Sequence, residues 1–144
     1  MRACVLDTSV LVAALRSDTG ASRQVLLAAQ DRRFELLFSV PLMLEYEAVL
    51  RRPEHLKASG ASEEDVAGIL DGLALVSKPV TIAFRWRPAL PDPNDDMVLE
   101  TAVNGHADAI VTFNQRDFNP VAARFGCQVM RPGELLRILA REED

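Results

Sequence analysis

Short apolar runs and helical periods alternate along this chain almost from its first residue. Residues 3–6 form a continuous apolar run that ends at Asp7, the pattern of a strand buried on both faces. Residues 9–16 and 22–30 then read as helices and 34–39 as a second strand. A third helix opens at Pro41, where proline is tolerated in the first turn, and runs to residue 52, with Pro53 expected to stop it. Ser62 with Asp65 resembles a capping box, and Val66, Ile69, Leu70 and Leu73 follow at i, i+3, i+4 and i+7, which predicts a helix there. Residues 80–84 read as a strand. Pro88, Pro91 and Pro93 mark a stiff loop that ends at Asn94, Asp95 and Asp96, the start of another helix. Residues 109–112 are a buried strand, 128–130 a last short strand, and 132–141 a final helix. Strands alternating with helices predict an α/β domain with a mainly parallel sheet, in which ligands gather beyond the carboxyl ends of the strands. One domain over residues 1–141 is expected, followed by a flexible acidic tail at 142–144.

The chain is 144 residues long, 49% hydrophobic and 26% charged, as in an ordinary soluble domain. A chain of this length buries roughly two-thirds of its unfolded surface, so it needs neither disulfides nor a structural metal. Cys4 and Cys127 are far apart and each has apolar neighbours, which suits small buried hydrophobes. His55 and His106 have no second Cys or His at ligand spacing, so no zinc site is expected. The longest apolar run, residues 10–15, falls far short of the ~20 residues that span a bilayer. With no signal-peptide pattern at residue 1, the expected compartment is the cytoplasm and no membrane partner is expected. Sixteen basic and twenty-one acidic residues give a net charge of −5, which does not draw a protein onto nucleic acid as a whole. All the basic residues except Lys57 and Lys78 are arginine, however, the residue suited to bidentate phosphate contacts in a local patch.

The acidic residues are placed unevenly with respect to the predicted elements. Asp7 directly follows the first strand, and Asp7-Thr8-Ser9 offers three side-chain oxygens at a helix entrance, although an N-cap aspartate accounts for the same position. In the helix after Pro41, Leu42, Tyr46, Val49 and Leu50 share a face. At 100° per residue Glu45 lies about 40° from Val49 and about 160° from Glu47. Glu47 is therefore a solvated carboxylate, whereas Glu45 sits at the apolar margin and needs a partner, an arginine being the simplest. Beyond Asn94, Val98, Leu99, Ala102 and Val103 share a face, with Asp96 and Glu100 side by side along its edge. Asp92 and Asp95 lie just upstream, where caps and helix-dipole roles are usual. Carboxylates at the margins of three elements that converge on one cleft repel unless a cation joins them. Mg²⁺ and Mn²⁺ favour such oxygen ligands and complete their shells with water and phosphate oxygens, which points to phosphoryl-transfer chemistry.

Essentially the whole chain resembles the PIN-domain nucleases, in particular the VapC-like toxins of prokaryotic toxin–antitoxin pairs. Asp7-Thr8-Ser9-Val10-Leu11 is similar to the family's first motif, an aspartate that binds metal with a hydroxyl nearby. Leu44-Glu45-Tyr46-Glu47-Ala48-Val49-Leu50 is similar to the second, whose first glutamate is the metal-site acid. Asp92-Pro93-Asn94-Asp95-Asp96 resembles the third and assigns the acid to Asp96, with Asp95 its nearest rival. Val111-Thr112-Phe113-Asn114-Gln115-Arg116-Asp117-Phe118 follows the late strand as the fourth motif does, but Asn114 stands where many members carry aspartate, a departure that Asp117 is placed to offset.

The resemblance implies a PIN-like, Rossmann-like three-layer α/β/α domain and a metal-dependent endoribonuclease. Asp7, Glu45 and Asp96 would hold one or two Mg²⁺ or Mn²⁺ ions, with Asn114 in the catalytic set and Ser9, Thr112, Asp95, Glu100 and Asp117 in support. RNA contacts would come from Arg116 and from Arg85 and Arg87 around Trp86. A cognate antitoxin and a homodimer are the expected protein partners, since the helices between Gly20 and Arg52 carry more apolar residues than a small sheet covers. Two other functions compete. A PIN fold with an incomplete site would serve as a protein-binding module, for which Asn114 speaks. A metal-dependent phosphatase or a phosphoacceptor domain would use Asp7, but Thr8 and Ser9 stand where aspartyl-phosphatases carry a second aspartate, and no lysine follows the late strand.

Overall fold

The computed structural model describes residues 1–84, 90–92 and 95–143. The chain runs β1 (Ala3–Leu6), α1 (Thr8–Arg16), α2 (Ala21–Gln30), β2 (Glu35–Phe38), α3 (Val40–Leu50), α4 (Pro53–Ser59), α5 (Glu63–Val76), β3 (Lys78–Pro79), α6 (Asp96–Asn104), β4 (Ala109–Val111), α7 (Gln115–Ala122), a 3-10 turn (Ala123–Phe125), β5 (Gln128–Met130) and α8 (Pro132–Glu143). The described strands form one parallel sheet in the order β3-β2-β1-β4-β5. Cys4 lies between Leu36 of β2 and Ala109 of β4. The fold is thus the expected α/β class with a parallel central sheet.

The strand order sets the position of the site. From β1 the chain builds outward through β2 and β3, then returns to place β4 on the other side of β1 and continues to β5. The direction reverses between β1 and β4, and in open parallel sheets the crevice for a ligand opens at the carboxyl ends of such a pair. Asp7 follows β1, and Thr112 and Asn114 follow β4.

The continuous apolar runs are buried as their pattern demands: Cys4, Val5, Ala109, Ile110 and Val111 have no exposed surface. Both cysteines are free and buried. Burial pushes the Cys4 thiol up to about 12 and the Cys127 thiol to about 11, so both stay protonated and act as small apolar groups. In α5 the Ser62–Asp65 capping box forms in both directions, and Val66, Leu70 and Leu73 face the core. Helix α6 packs on β1, β2 and β4 and against α3, which meets α5, while α2 packs between α1 and α8. Among the described residues no helix is long and apolar enough to cross a membrane.

Four expectations need correction. Helix α3 ends at Leu50, and Pro53, expected only as a stop, is the first residue of α4, where its missing N–H costs nothing. The strand expected at 80–84 is instead the two-residue β3: Leu37 pairs with Lys78 and Phe38 with Pro79, and the chain then leaves the sheet. The Asn104 side chain takes over as partner there, its Oδ1 accepting from the Ala83 and Phe84 N–H groups (3.0 Å each) and its Nδ2 donating to Phe84 O (3.0 Å). Helix α7 was not among the expected elements. Burial of Phe118 and Ala122 holds it as a helix despite Pro120 within it. Finally, α8 continues through Glu143 and Glu142 pairs with Arg2 at 3.0 Å, so the acidic tail expected at 142–144 is helical through Glu143.

Candidate active site

Asp7 is held before any ligand arrives. Its backbone N–H continues the pairing of β1 with β4, donating to Val111 O at 2.9 Å. It occupies the N-cap of α1 yet makes no side-chain cap bond, which removes the simplest structural explanation for an aspartate at this position. Instead Oδ2 accepts from Ser9 Oγ and from Thr112 Oγ1, both at 2.7 Å, with the side chain 3% exposed. Thr112 Oγ1 in turn accepts from the Asn114 N–H at 2.9 Å. A carboxylate so far from water needs these donors, and they load one oxygen while Oδ1 takes part in neither bond. Ser9 and Thr112, both expected as supporting residues, are thus the two hydroxyl donors to this oxygen of Asp7.

Glu45 is aimed by its neighbour. The Tyr46 hydroxyl donates to Leu6 O, which ties α3 to the carboxyl end of β1. Burial, with Asp7 nearby, pushes this phenol far above its ordinary range and keeps it a donor. At the start of α3, Ser39 Oγ accepts from the Leu42 N–H (3.3 Å) and meets Thr101 Oγ1 of α6 (2.7 Å). Thr101 donates to Met97 O, so Ser39 is the donor across the helix pair. These buried bonds fix α3 against α6 and β1. Glu45 and Glu47 are both half-buried; Glu45 makes no ion pair among the described residues, and Glu47 pairs with Arg51 at 3.1 Å.

Asp7, Glu45, Asp95 and Asn114 line one cleft of about 410 Å³, with Asp92 at its rim. Asp95 and Asn114 are, like Asp7, N-cap residues whose side chains do not cap, so α1, α6 and α7 each begin at the cleft with an oxygen-bearing group spare. The Asp95 carboxyl is pushed up to about 7, first by burial and then by the charges of Asp7, Asp92, Asp117 and Asp96. Asp96 lies beneath the wall, 1% exposed, its Oδ1 accepting from the Leu90 N–H at 3.1 Å, and Glu100 is equally buried. Neither is among the described residues lining the cleft. Asp117 and Arg116 lie in an adjoining depression that shares Asn114 with the cleft. Arg85 and Arg87 lie outside the described residues. Among the described residues no three acidic, histidine or cysteine side chains converge tightly enough to form a ready-made cation site, so the carboxylates stand around the wall rather than at chelating distance.

Two basic residues were missed by sequence reasoning. Arg16 and Arg52 both line the cleft, and Arg16 Nη2 is steadied by His55 Nδ1 at 2.8 Å. The signal was present: Ser9, Val12, Ala13 and Arg16 follow i, i+3, i+4, i+7 along the helix that Asp7 begins, and Val49 and Arg52 stand at i+4 and i+7 from Glu45. The cleft therefore combines carboxylates with two arginines, Arg16 at the end of α1 and Arg52 between α3 and α4. Its donor set, carboxylates and an amide oxygen without nitrogen or sulfur ligands, suits a hard divalent cation, and the repulsion that raises Asp95 is what such a cation relieves.

The sequence pattern of the PIN domain matches residues 3–116, from β1 into the first turn of α7. All the cleft-lining residues named above fall within it. No curated protein matches the chain in a sequence search.

Proposed function

The chain belongs to the PIN domain family, whose members are generally nuclease-type hydrolases, and on that premise we propose that it is a cytoplasmic, metal-dependent endoribonuclease. The carrying observation is that Asp7, Glu45, Asp95 and Asn114, from four different elements, line one cleft at the topological switch of the sheet, with three of them helix caps that do not cap. Asp7, Glu45 and the Asp95–Asp96 pair would hold one or two Mg²⁺ or Mn²⁺ ions. Asp96 is the acid that the motif resemblance favours, and Asp95 is the one on the cleft wall. Bound there, the cation supplies a Lewis acid for the phosphate and a water of lowered pKa.

The chain's own residues do the rest. Ser9 and Thr112 fix one oxygen of Asp7, so its other oxygen is oriented before substrate arrives. Arg16 and Arg52 bind the phosphodiester backbone in the same cleft, where guanidinium groups suit phosphate oxygens. The Asn114 amide gives the site one charge fewer than an aspartate would, so Asn114→Asp leaves metal binding intact or tightens it. Calorimetric titration with Mn²⁺ measures this.

The toxin role, a cognate antitoxin and a homodimer belong to the same proposal. The motif resemblance supports the first two, and the exposed Leu27, Val40 and Leu44 on α2 and α3 offer apolar surface for a protein partner. The deciding experiment is cleavage of a labelled RNA pool by the purified chain with Mn²⁺, Mg²⁺ or EDTA, beside Asp7→Asn. Metal-dependent cleavage that Asp7→Asn loses is the expected result. No cleavage together with no calorimetric metal binding would overturn the enzyme in favour of a protein-binding module.

A further inference from the structure

Next to the carboxylate cleft, and sharing Asn114 with it, lies a depression of about 430 Å³. Its size falls within the ~300–1,000 Å³ typical of sites for small organic groups. Three side chains give it a chemistry that the hydrolytic centre does not use. Phe113, in the turn between β4 and α7, is 42% exposed and lines the depression instead of joining the core. Arg116 and Arg131 line it too, and neither forms an ion pair among the described residues.

Arg131 is positioned by hydrogen bonds. Gln115 is anchored through its Nε2, which donates to Val129 O (3.3 Å) and to Glu134 Oε1 (3.2 Å). Its Oε1 then accepts from Arg131 Nε at 3.3 Å. This contact uses the inner edge of the guanidinium and leaves its two terminal nitrogens to a ligand. A planar cation oriented by its Nε, a second arginine and an exposed aromatic face together fit an unstacked base and its phosphate, since stacking on aromatic rings and arginine contacts to the backbone are how single strands are held. One acid is present: Asp117 lines the same depression, and its charge acts on Asp95 across the shared wall. Among the lining residues two arginines stand to one aspartate, which favours a phosphate, while Glu134 beside Arg131 is engaged through its Oε1, which accepts from Gln115 Nε2 and from the Arg131 N–H.

We propose that Phe113, Arg116 and Arg131 form a nucleotide subsite for single-stranded RNA, receiving the base and phosphate that adjoin the scissile position on the Asn114 side. The subsite rests on the RNA-cleaving function proposed above and adds to it a preference for unpaired substrate. An acidic peptide would satisfy the arginines but has no use for the ring of Phe113.

The test is fluorescence anisotropy of a labelled eight-nucleotide single-stranded RNA on the full chain in EDTA, where no cleavage intervenes, for the unmodified chain and for Phe113→Ala, Phe113→Trp, Arg116→Gln and Arg131→Gln. All three positions are exposed, so the variants should fold, and circular dichroism melts verify this. Phe113→Ala should weaken binding about 10-fold, the scale of one lost base stack, and Phe113→Trp should restore it. Each arginine variant should reduce the slope of log K against log salt by about 0.7. A duplex of the same sequence should show no loss with Phe113→Ala. Unchanged single-strand binding by Phe113→Ala, or loss by the arginine variants alone, overturns the subsite and leaves a merely charged surface open to acidic peptides. If the unmodified chain cleaves RNA with metal and all the variants share its KM, the subsite fails while the nuclease stands. If it never cleaves but Phe113→Ala still loses binding that Phe113→Trp restores, the nuclease fails while the nucleotide subsite stands.

Discussion

Asp7 and Asp95 hold the same position in two different regions, the cap of a helix that starts at the cleft, and the fold treats them in opposite ways. Asp7 stands at the end of the central strand and receives two hydroxyl donors on one oxygen. Asp95 follows a proline-rich stretch of sequence, and its carboxyl is held near 7 by burial and by four neighbouring aspartates. One carboxylate is oriented in advance, while the other carries the excess charge of the cluster. Pre-orientation is worth most for a group that must not move during the reaction, whereas stored repulsion is worth most where an arriving cation can release it.

The largest effect expected from breaking this contrast is at Asp7. Asp7→Asn should lower RNA cleavage by roughly 10²–10³-fold, the scale of losing one fixed electrostatic contact in a hydrolytic site. Single-turnover rates in Mn²⁺ test this, and a loss under tenfold would show that Asp7 is not at the reacting centre. Next is its support. Thr112→Val, which removes one donor and keeps the shape, should cost about 10–100-fold in metal affinity or activity, as is usual for groups that orient a ligand. Unchanged Mn²⁺ titrations would reduce Thr112 to a packing residue.

At Asp95 the sharper readout is stability against pH. A carboxyl that titrates near 7 in the folded chain but at ~3.9 unfolded opposes folding once ionised. The penalty is absent below both values, grows as pH rises between them and is complete above about 7. Asp95→Asn should therefore match the unmodified chain at pH 4 and exceed it at pH 8 in EDTA. Because Asp95 is partly exposed, solvent screening reduces the difference to the order of 1 kcal/mol, or about 3 °C in melting temperature. Added Mn²⁺ should abolish the difference by stabilising the unmodified chain. Cleavage by Asp95→Asn and Asp96→Asn, measured side by side, tells which member of the pair contributes more to the centre. The smallest effect belongs to Glu47: Glu47→Gln breaks only its exposed pair with Arg51 and should change activity less than about twofold and stability by ~0–0.5 kcal/mol.

Legibility in the sequence followed the same division. β1 and β4 could be read because a short apolar run has few alternatives to burial, and the Asp7 junction came with them. Glu45 could be separated from Glu47 because two positions on one helix differ by about 160°, far more than any uncertainty in the helix itself. Asp95 and Asp96 resisted separation for the converse reason: neighbours at a helix start differ by a single step, and the exact first residue decides which one faces out. A proline misled at Pro53, because its effect depends on where the preceding helix has already ended. Arg16 and Arg52 were not legible in role, since only the assembled cleft brings an arginine at the end of α1 and one at the junction of α3 and α4 beside the carboxylates.

Both edge strands of the sheet are short, and side-chain amides take up backbone groups beside or just beyond them. On one side β3 consists of Lys78 and Pro79, a charge and a residue without an N–H, and Asn104 then occupies the backbone groups of Ala83 and Phe84. On the other side Gln115 takes the Val129 carbonyl of β5. A strand from another molecule therefore meets a poor template at both borders. Growth of the sheet by strand addition is disfavoured, and any self-association is steered toward helical surfaces such as the one bearing Val40 and Leu44, which are 69% and 60% exposed. Assembly through helices has a definite stoichiometry, whereas assembly through open strands does not, so the shortness of the two edge strands also restricts the ways in which copies of this chain can aggregate.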